Sequence, residues 1–164
     1  MLEHIPMKRK IFIDANILIY HFLGLSESCS TLLESAEHDE VRAYISTVVQ
    51  AEVLHRLMIS EAVEKFRIKP YQAARYLKEH PRAIKSLETC EIALAEIPEF
   101  NIDIICLESD AIIKSRRFRE DFGLMTNDSL NLYAMKTESI RIIATNDRDF
   151  ERVNGIEVWK PDDV

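Results

Sequence analysis

The stretch KIFIDANILIYHF, residues 10–22, combines an apolar run suited to a buried strand with two polar side chains near its middle. Residues 10–13 have the composition of a strand, and the apolar spacing becomes helical from Ile17 onward. Burying an aspartate without a partner is costly, so we expect Asp14 at the end of the strand, where its charge faces a partner. The alternative role for Asp14 is that of a helix N-cap. The stretch therefore predicts a strand that ends in a functional carboxylate, with Asn16 close behind it.

Length and composition are those of an ordinary soluble globular protein. The 164 residues suit a single domain, which we expect to span residues 8–160, and 47% of them are apolar. The three cysteines form no Cys-x-x-Cys pair, which argues against a disulfide framework or a zinc ribbon. No stretch approaches the ~20 apolar residues of a membrane span, and residues 1–10 lack a signal-peptide core. We therefore expect a cytoplasmic protein without a membrane partner.

The net charge of −7 differs from the basic footprint of most nucleic-acid binders, but it averages over two local basic clusters. One cluster precedes the first strand at residues 8–10. The other contains Lys114, Arg116, Arg117 and Arg119. The simpler interpretation of both is a solvated face. The alternative is a rim that contacts the phosphates of RNA around an acidic centre.

Strands and helices alternate along the chain. After residues 10–13, we expect strands at 41–45, 102–107, 141–144 and 156–159. A capping box formed by Thr47 and Gln50 predicts a helix over 48–58. Further helices are expected at 110–121, capped by Ser109 and ended by Gly123, and at 127–137. Prolines divide the helix-rich middle of the chain into pieces near 60–68, 71–79 and 82–96.

This alternation implies crossover connections, and therefore an α/β fold with a parallel sheet flanked by helices. In such sheets, ligands bind beyond the carboxyl ends of the strands. The expected site therefore lies at that edge of the sheet.

Four acidic residues fall at positions that this sheet brings to one edge. Asp14 follows the first strand, and Asp147 stands just beyond the fourth. Glu52 lies in the second turn of the helix after strand two. Asp128 lies in the first turn of a later helix, where the helix dipole favours a negative charge. Singly, Asp128 also fits a helix-start acid, Asp147 a turn residue and Glu52 an exposed helical side chain. Their joint placement favours a common site.

Carboxylates that converge in this way require a cation. At 4 Å, two of them repel by about 1 kcal/mol in water and about 4 kcal/mol at an effective dielectric constant of 20. A set of oxygen ligands without His or Cys suits Mg²⁺ or Mn²⁺, which also bind substrate phosphates. The chemistry available to such a site is phosphoester hydrolysis. Asn16 would then hydrogen-bond and orient a neighbouring carboxylate.

The residues of this chain do not match the motifs of other phosphate-binding or cofactor-binding proteins. A phosphatase of the haloacid-dehalogenase type needs Asp-x-Asp after the first strand, where this chain has Asp14 and Asn16. There is no P-loop, no Gly-rich dinucleotide turn and no Cys/His zinc set. His55 lies three residues after Glu52, on the same face of the predicted helix. Its simpler interpretation is a surface residue, and the alternative is contact with substrate.

Four segments together resemble the PIN domain, most closely its VapC-type ribonuclease toxins. They are IFIDANILIY at 11–20, ISTVVQAEV with Glu52, GLMTNDSLNLYAM at 123–135 and IIATNDRDFERV at 142–153. The resemblance implies a three-layer α/β/α sandwich with a mainly parallel sheet of four or five strands. It also implies an endoribonuclease that depends on Mg²⁺ or Mn²⁺.

The resemblance also assigns roles to residues of this chain. Asp14, Glu52, Asp128 and Asp147 fall on the family's catalytic, metal-binding positions, and Asn16 and Thr145 fall on its supporting polar positions. Asp149 competes with Asp147 for the last ligand position, and the Thr-x-Asp spacing favours Asp147. This chain has Ser129 after Asp128 where many relatives have Ala.

The implied partners are an RNA substrate, a small antitoxin and a second copy of the chain. Apolar side chains in the middle region fit either core packing or self-association, namely Ile84, Leu87, Ile92 and Leu94. The segment of about 60–98 is longer than in many compact toxins, which leaves the toxin role and the substrate open. Two alternatives are a housekeeping RNA-processing nuclease and a non-catalytic scaffold that keeps the PIN fold.

Overall fold

A five-stranded parallel sheet forms the centre of the protein in the computed structural model, which describes residues 9–164. Lys8, a member of the first basic cluster, lies outside this range. The strands are β1 Lys10–Ile13, β2 Arg42–Ser46, β3 Asp103–Ile105, β4 Ile142–Ala144 and β5 Glu157–Trp159. Their order across the sheet is β3-β2-β1-β4-β5, and every neighbouring pair is parallel. The predicted α/β fold and its five strands are confirmed.

Helices connect the strands. They are α1 Ala15–Phe22, α2 Glu27–Glu37, α3 Thr47–Phe66, α4 Pro70–Glu79, α5 Pro81–Ile84, α6 Thr89–Glu96, α7 Ala111–Lys114, α8 Arg116–Phe122 and α9 Thr126–Thr137. Two 3₁₀ helices span Ile97–Phe100 and Arg148–Arg152. None of the helices within residues 9–164 has the length and apolar character that crossing a bilayer requires.

The central strand is covered on both faces. Ile11, Phe12 and Ile13 are all fully buried, and successive side chains of a strand point to opposite faces of its sheet. Helices must therefore pack on both faces, which gives the three layers of an α/β/α sandwich. Buried side chains from this strand and from the surrounding helices belong to one apolar cluster. The domain bounds of 8–160 stay a prediction.

The order of the strands locates a crevice at the centre of the sheet. From β1 the chain proceeds outward through β2 and β3 on one side, and then returns to place β4 and β5 on the other. The connections therefore diverge between β1 and β4, the position at which open α/β sheets bind ligands. Asp14 directly follows β1, and Thr145 directly follows β4.

The predicted start of α3 was wrong by one residue. Ser46, and not Thr47, is the N-cap, and its hydroxyl oxygen accepts a hydrogen bond from the Val49 backbone N–H at 3.2 Å. The same hydroxyl donates to the Asn131 side-chain oxygen at 2.7 Å. Both side chains are buried. The cap thus also joins the end of β2 to α9.

Several helix boundaries in the middle of the chain were also wrong. Helix α3 continues without a break to Phe66, because no Gly or Pro interrupts it, so no separate helix covers 60–68. The predicted helix over 82–96 is divided into α5 and α6. Glu61 of α3 accepts hydrogen bonds from the backbone N–H groups of Glu88 and Cys90, at 2.8 and 2.9 Å, and thereby caps α6.

The predicted helix over 110–121 is divided as well. Ser115 separates α7 from α8, and α7 begins after Asp110 without the side-chain cap expected from Ser109. The predicted stop at Gly123 is confirmed, since this residue adopts the left-handed conformation with φ of 65°.

The apolar residues of the middle region do not all enter the core. Leu87 is buried and Leu94 packs against the core, whereas Ile84 and Ile92 are 40% and 59% exposed. The core-packing interpretation therefore holds for only some of these side chains.

Ser46→Ala tests the observed cap. We expect the free energy of unfolding to fall by about 2–3 kcal/mol, because α3 loses its cap and the buried Asn131 oxygen loses its donor. Thr47→Ala is the matched control and should cost less than about 0.5 kcal/mol, as at an exposed helical position. Urea unfolding measures both. Equal losses in the two variants would contradict the assignment of Ser46 as the cap.

Candidate metal centre

Asp14 ends β1 and begins α1. Its backbone N–H donates to the Ala144 carbonyl at 3.0 Å, which extends the pairing of β1 with β4 by one residue. One carboxylate oxygen accepts from the Ala15 backbone N–H at 2.9 Å and so caps α1. The other accepts from the Thr145 hydroxyl at 2.6 Å. Asp14 is only 6% exposed. Asp14 is therefore the N-cap of α1 and also lies where we expected a functional carboxylate, at the end of the strand.

Asn16 and Thr145 form a small polar network around Asp14. The Asn16 amide nitrogen donates to the second Asp14 oxygen at 2.9 Å and lies 3.0 Å from the Thr145 hydroxyl. The Asn16 oxygen accepts from the Asn146 backbone N–H at 3.1 Å, and the Thr145 hydroxyl oxygen accepts from the Asp147 N–H at 3.0 Å. This network fixes the segments that follow β1 and β4 against each other.

Three further carboxylates form a cluster. Asp128, Asp147 and Asp149 each place one oxygen within 4.8 Å of the other two. Asp147 accepts a hydrogen bond from the Asp149 backbone N–H at 2.8 Å and caps the 3₁₀ helix that follows. Asp149 also forms an ion pair with Arg152 at 2.9 Å. The structure thus brings both candidates for the last ligand position to the cluster, and Arg152 already neutralises one of them.

A cavity of about 310 Å³ collects the predicted acids. Its lining includes Asp14, Glu52, Asp128 and Asp147, together with Asn16, Ile19, Tyr20 and Arg56. Glu52 projects from α3, and one of its oxygens accepts from the Asn127 side-chain amide at 2.9 Å. The four acids that the sequence predicted at one sheet edge therefore line one cavity.

The cavity holds its carboxylates at an electrostatic cost. Burial raises the pKa of Asp14 from 3.8 to about 6, against the lowering effect of its hydrogen bonds from Thr145 and Ala15. The pKa of Asp128 also rises to about 6, first through burial and then through the negative charges of Asp147 and Glu52. At neutral pH both groups lose their protons despite this cost. A cation in the cavity would offset it.

The donor set fits a hard divalent cation. The cavity offers several carboxylate oxygens on separate elements, and no His or Cys of residues 9–164 contributes to its lining. Mg²⁺ and Mn²⁺ prefer oxygen ligands of this kind. Asp14, Glu52, Asp128 and Asp147 are the residues that would hold such an ion, with Asp149 adjacent to them.

Three polar residues at or beside this cavity were missed by the sequence analysis. Tyr20 lies four residues after Asn16 on α1, and Arg56 lies four residues after Glu52 on α3. Because residues four apart share one face of a helix, this spacing could have found both. Asn127, the partner of Glu52, carried no such signal, since its contact depends on how α9 packs against α3.

The predicted basic rim does not line the cavity. Lys114 pairs with Glu108 and Asp110, and Arg116 pairs with Glu120. Arg119 donates to the hydroxyls of Ser115 and Ser129 and to the Ile112 carbonyl, while Arg117 lies over the Phe118 ring. Contact of these four cations with RNA stays a prediction.

The first basic cluster lies at the other end of the sheet. Arg9 forms an ion pair with Glu157 at 3.5 Å, and the Lys10 ammonium donates to the Glu138 carbonyl at 2.9 Å. Both residues are at the start of β1, whereas the acids gather beyond its carboxyl end. Within residues 9–164, this cluster is not a rim of the acidic cavity.

A sheet with this order of strands and an acidic cavity at its central crevice define a class of protein, and the comparisons agree with it. The PIN domain model matches residues 11–156, and the chain belongs to the PIN domain family. It is 33% identical over 153 residues to Ribonuclease VapC2 of Methanocaldococcus jannaschii, covering 92% of this chain and 93% of that protein.

Solved structures share the fold at lower identity. The VapBC2 structure from Rickettsia felis, bound to a promoter DNA fragment, aligns with a TM-score of 0.58 at 20% identity, covering 93% of this chain and 99% of that one. VapC20 of Mycobacterium tuberculosis, a toxin that cleaves the sarcin-ricin loop, aligns with a TM-score of 0.58 at 14% identity, covering 90% and 98%. At these identities, the similarity establishes the fold.

Asp128→Asn tests the electrostatic cost of the metal-free cavity. Because the pKa of Asp128 in the folded protein, about 6, lies above its ordinary 3.8, the folded state keeps the proton longer as the pH rises. The contribution of this group to stability is therefore full below about pH 4 and lost as the pH rises through 6. In EDTA at pH 7.5, we expect the variant to be more stable than wild type by about 1–2 kcal/mol, a value reduced for solvent screening.

The gain should vanish near pH 3, where the carboxyl is mostly protonated in both the folded and the unfolded state. Asp121→Asn, at an exposed carboxylate of α8, is the matched control and should change stability little at either pH. Urea unfolding at the two pH values provides the measurement. A less stable Asp128→Asn variant at pH 7.5 would show that the carboxylate stabilises the metal-free fold.

Proposed function

We propose that this protein is an endoribonuclease that requires Mg²⁺ or Mn²⁺ and hydrolyses RNA phosphodiester bonds at the four-carboxylate cavity. The observation that carries this proposal is the convergence of Asp14, Glu52, Asp128 and Asp147 from four separate segments on one cavity. The coarser part, ribonuclease activity, rests on membership of the PIN domain family and on the 33% identity to a named ribonuclease across 92% of the chain.

The residues of the chain prepare the cavity for this reaction. Thr145, Asn16 and the Ala15 N–H hold the Asp14 carboxylate in one orientation, so no side-chain freedom remains to be lost on binding. Asn127 of α9 donates one hydrogen bond to a Glu52 oxygen and so restrains this carboxylate as well. When bound to these oxygens, a divalent cation supplies an activated water and charge neutralisation at the phosphate.

We also propose that this protein acts as the toxin of a toxin–antitoxin pair. Proteins of similar fold include VapBC2 of Rickettsia felis and a toxin–antitoxin complex of Klebsiella pneumoniae, the latter with a TM-score of 0.56. We propose a small antitoxin that covers the acidic cavity. A neighbouring gene for such a protein would distinguish this role from housekeeping RNA processing. The retained set of four acids disfavours a purely structural scaffold.

Cleavage of a pooled structured RNA in Mn²⁺ tests the proposed activity. Wild type should cut the RNA, and EDTA should stop the reaction. Asp14→Asn and Asp147→Asn should each reduce the rate by about 100-fold or more, because each removes one of the carboxylates that would hold the cation. Asp147→Asn serves as the second variant. Asp14 and Asp147 both cap helices, and an Asn side-chain oxygen at either position can still accept the capping hydrogen bond.

Asp121→Asn is the control for loss of one carboxylate away from the cavity, and it should cleave at the wild-type rate. Calorimetry with Mn²⁺ provides a reading that does not depend on the choice of RNA. We expect binding to wild type and to Asp121→Asn, and much weaker binding to Asp147→Asn. Undiminished cleavage by both cavity variants would disprove the four-carboxylate site.

Self-association is a separate prediction. Exposed Ile84 and Ile92 in the middle region are consistent with a homodimer. Size-exclusion chromatography with light scattering should then give twice the chain mass of 19.0 kDa. Ile92→Glu should shift the mass toward one chain, because a charge would enter the interface, whereas Ile112→Glu, at an exposed residue of α7, should not. A single-chain mass at micromolar concentration would remove this prediction.

A further inference from the structure

A second cleft opens beside the acidic cavity, along the first turns of α3. Its volume is about 480 Å³, which lies in the ~300–1,000 Å³ range of small-ligand sites. It is lined by Thr47, Val48, Ala51, Glu52, His55, Arg56 and Asn127. Glu52 and Arg56 also line the acidic cavity. The two spaces therefore adjoin, with these two side chains at their boundary.

Arg56 is one of the two side chains that line both spaces. Glu52 and Arg56 are four residues apart on α3, with the acid nearer the N-terminus, the orientation that favours a helical ion pair. Elsewhere the less favoured orientation forms its pair, at 2.7 Å between Arg75 and Glu79. Among the described residues 9–164, however, Arg56 has no hydrogen bond or ion pair.

Asn127 occupies one oxygen of the carboxylate with which Arg56 would pair. Its side-chain amide donates to a Glu52 oxygen at 2.9 Å and thus holds the carboxylate toward α9. The guanidinium of Arg56 therefore stays free beside a site that would bind a phosphate. A free guanidinium matches the geometry of a phosphate group and can donate two parallel hydrogen bonds to it.

The rest of the cleft suits a planar, weakly polar group. Val48 and Ala51 offer an apolar wall, and the exposed imidazole of His55 offers a flat face. Glu52 is the single acid of the lining. An aromatic or imidazole ring can stack on any base, because every base has a π-face. A hydrogen-bond donor for a phosphate, a flat ring and an apolar wall together match one nucleotide.

We propose that this cleft binds the nucleotide next to the scissile phosphate of a single-stranded RNA. Arg56 contacts the phosphate that joins the two spaces, and the base of the neighbouring nucleotide lies in the cleft beside His55. Asn127 is a positioning residue, which keeps Arg56 available by holding Glu52. This inference rests on the ribonuclease activity proposed above and adds the path of the substrate.

Binding of a fluorescein-labelled, 12-nucleotide RNA of mixed sequence tests the proposal. Ca²⁺ replaces Mn²⁺ during the measurement, and a gel afterwards verifies that the RNA is intact. Fluorescence anisotropy should give a Kd about tenfold higher for Arg56→Ala than for wild type, with a partial return for Arg56→Lys. His55→Ala should raise the Kd about fivefold or more, from the loss of stacking.

Salt dependence separates a phosphate contact from a general loss of structure. Each contact to single-stranded nucleic acid adds about 0.7 to the slope of log Kd against log salt concentration. Arg56→Ala should lower this slope by about that amount, and His55→Ala should leave it unchanged. Asn127→Ala should raise the Kd without removing a charge, because Glu52 becomes free to pair with Arg56.

Arg141→Ala is the matched control. It also removes one exposed positive charge, but Arg141 precedes β4 and so lies at the opposite edge of the sheet. Its Kd should stay within about twofold of wild type. If Arg56→Ala and His55→Ala bind RNA as tightly as Arg141→Ala does, the cleft is not a nucleotide site. An effect of these variants on binding of a protein partner would not change this conclusion.

The cleavage assay separates this failure from failure of the ribonuclease proposal. If wild type cleaves RNA and the cleft variants match it in cleavage and binding, only the present inference is overturned. If wild type neither cleaves nor binds RNA, both are overturned. Lower cleavage with the predicted changes in Kd and salt slope would support both.

Discussion

The buried carboxylate of Asp14 is the constraint on which the rest of the site depends. A charge at the end of a fully buried strand is tolerated only with several hydrogen-bond donors around it, and Thr145, Asn16 and the Ala15 N–H supply them. Two of these donors come from α1, and the third comes from the segment after β4. Satisfying one carboxylate therefore fixes how the two central strands meet at the crevice.

The N-termini of several helices also stabilise the negative charges of the site. Asp14 caps α1, Asp147 caps a 3₁₀ helix and Asp128 lies in the first turn of α9. The free N–H groups of a helix start carry a partial positive charge, which favours nearby carboxylates. The fold therefore gathers several negative charges by directing several helix N-termini at one cavity. The raised pKa values of Asp14 and Asp128 indicate that this compensation is incomplete without a cation.

Local patterns in the sequence were sufficient to predict the strands, their parallel arrangement and the grouping of the four acids. These features follow from apolar runs and from the rule that parallel strands end at one edge. Contacts between distant elements were not accessible in this way. The cap of α6 by Glu61 and the bond between Ser46 and Asn131 join residues far apart in sequence, and neither leaves a periodic signal. Arg56 is intermediate, since its spacing from Glu52 was visible in the sequence, whereas the hydrogen bond from Asn127 to Glu52 was not.

The unbroken course of α3 restricts how this protein can change in length. Its 20 residues carry Glu52 to the acidic cavity at one end and Glu61 to the start of α6 further along. A single residue inserted between these two glutamates would rotate one against the other by about 100°. One of the two contacts would then be lost. Insertions and deletions in natural variants are therefore expected to concentrate in connecting segments such as 67–69, between α3 and α4, which contribute to neither contact.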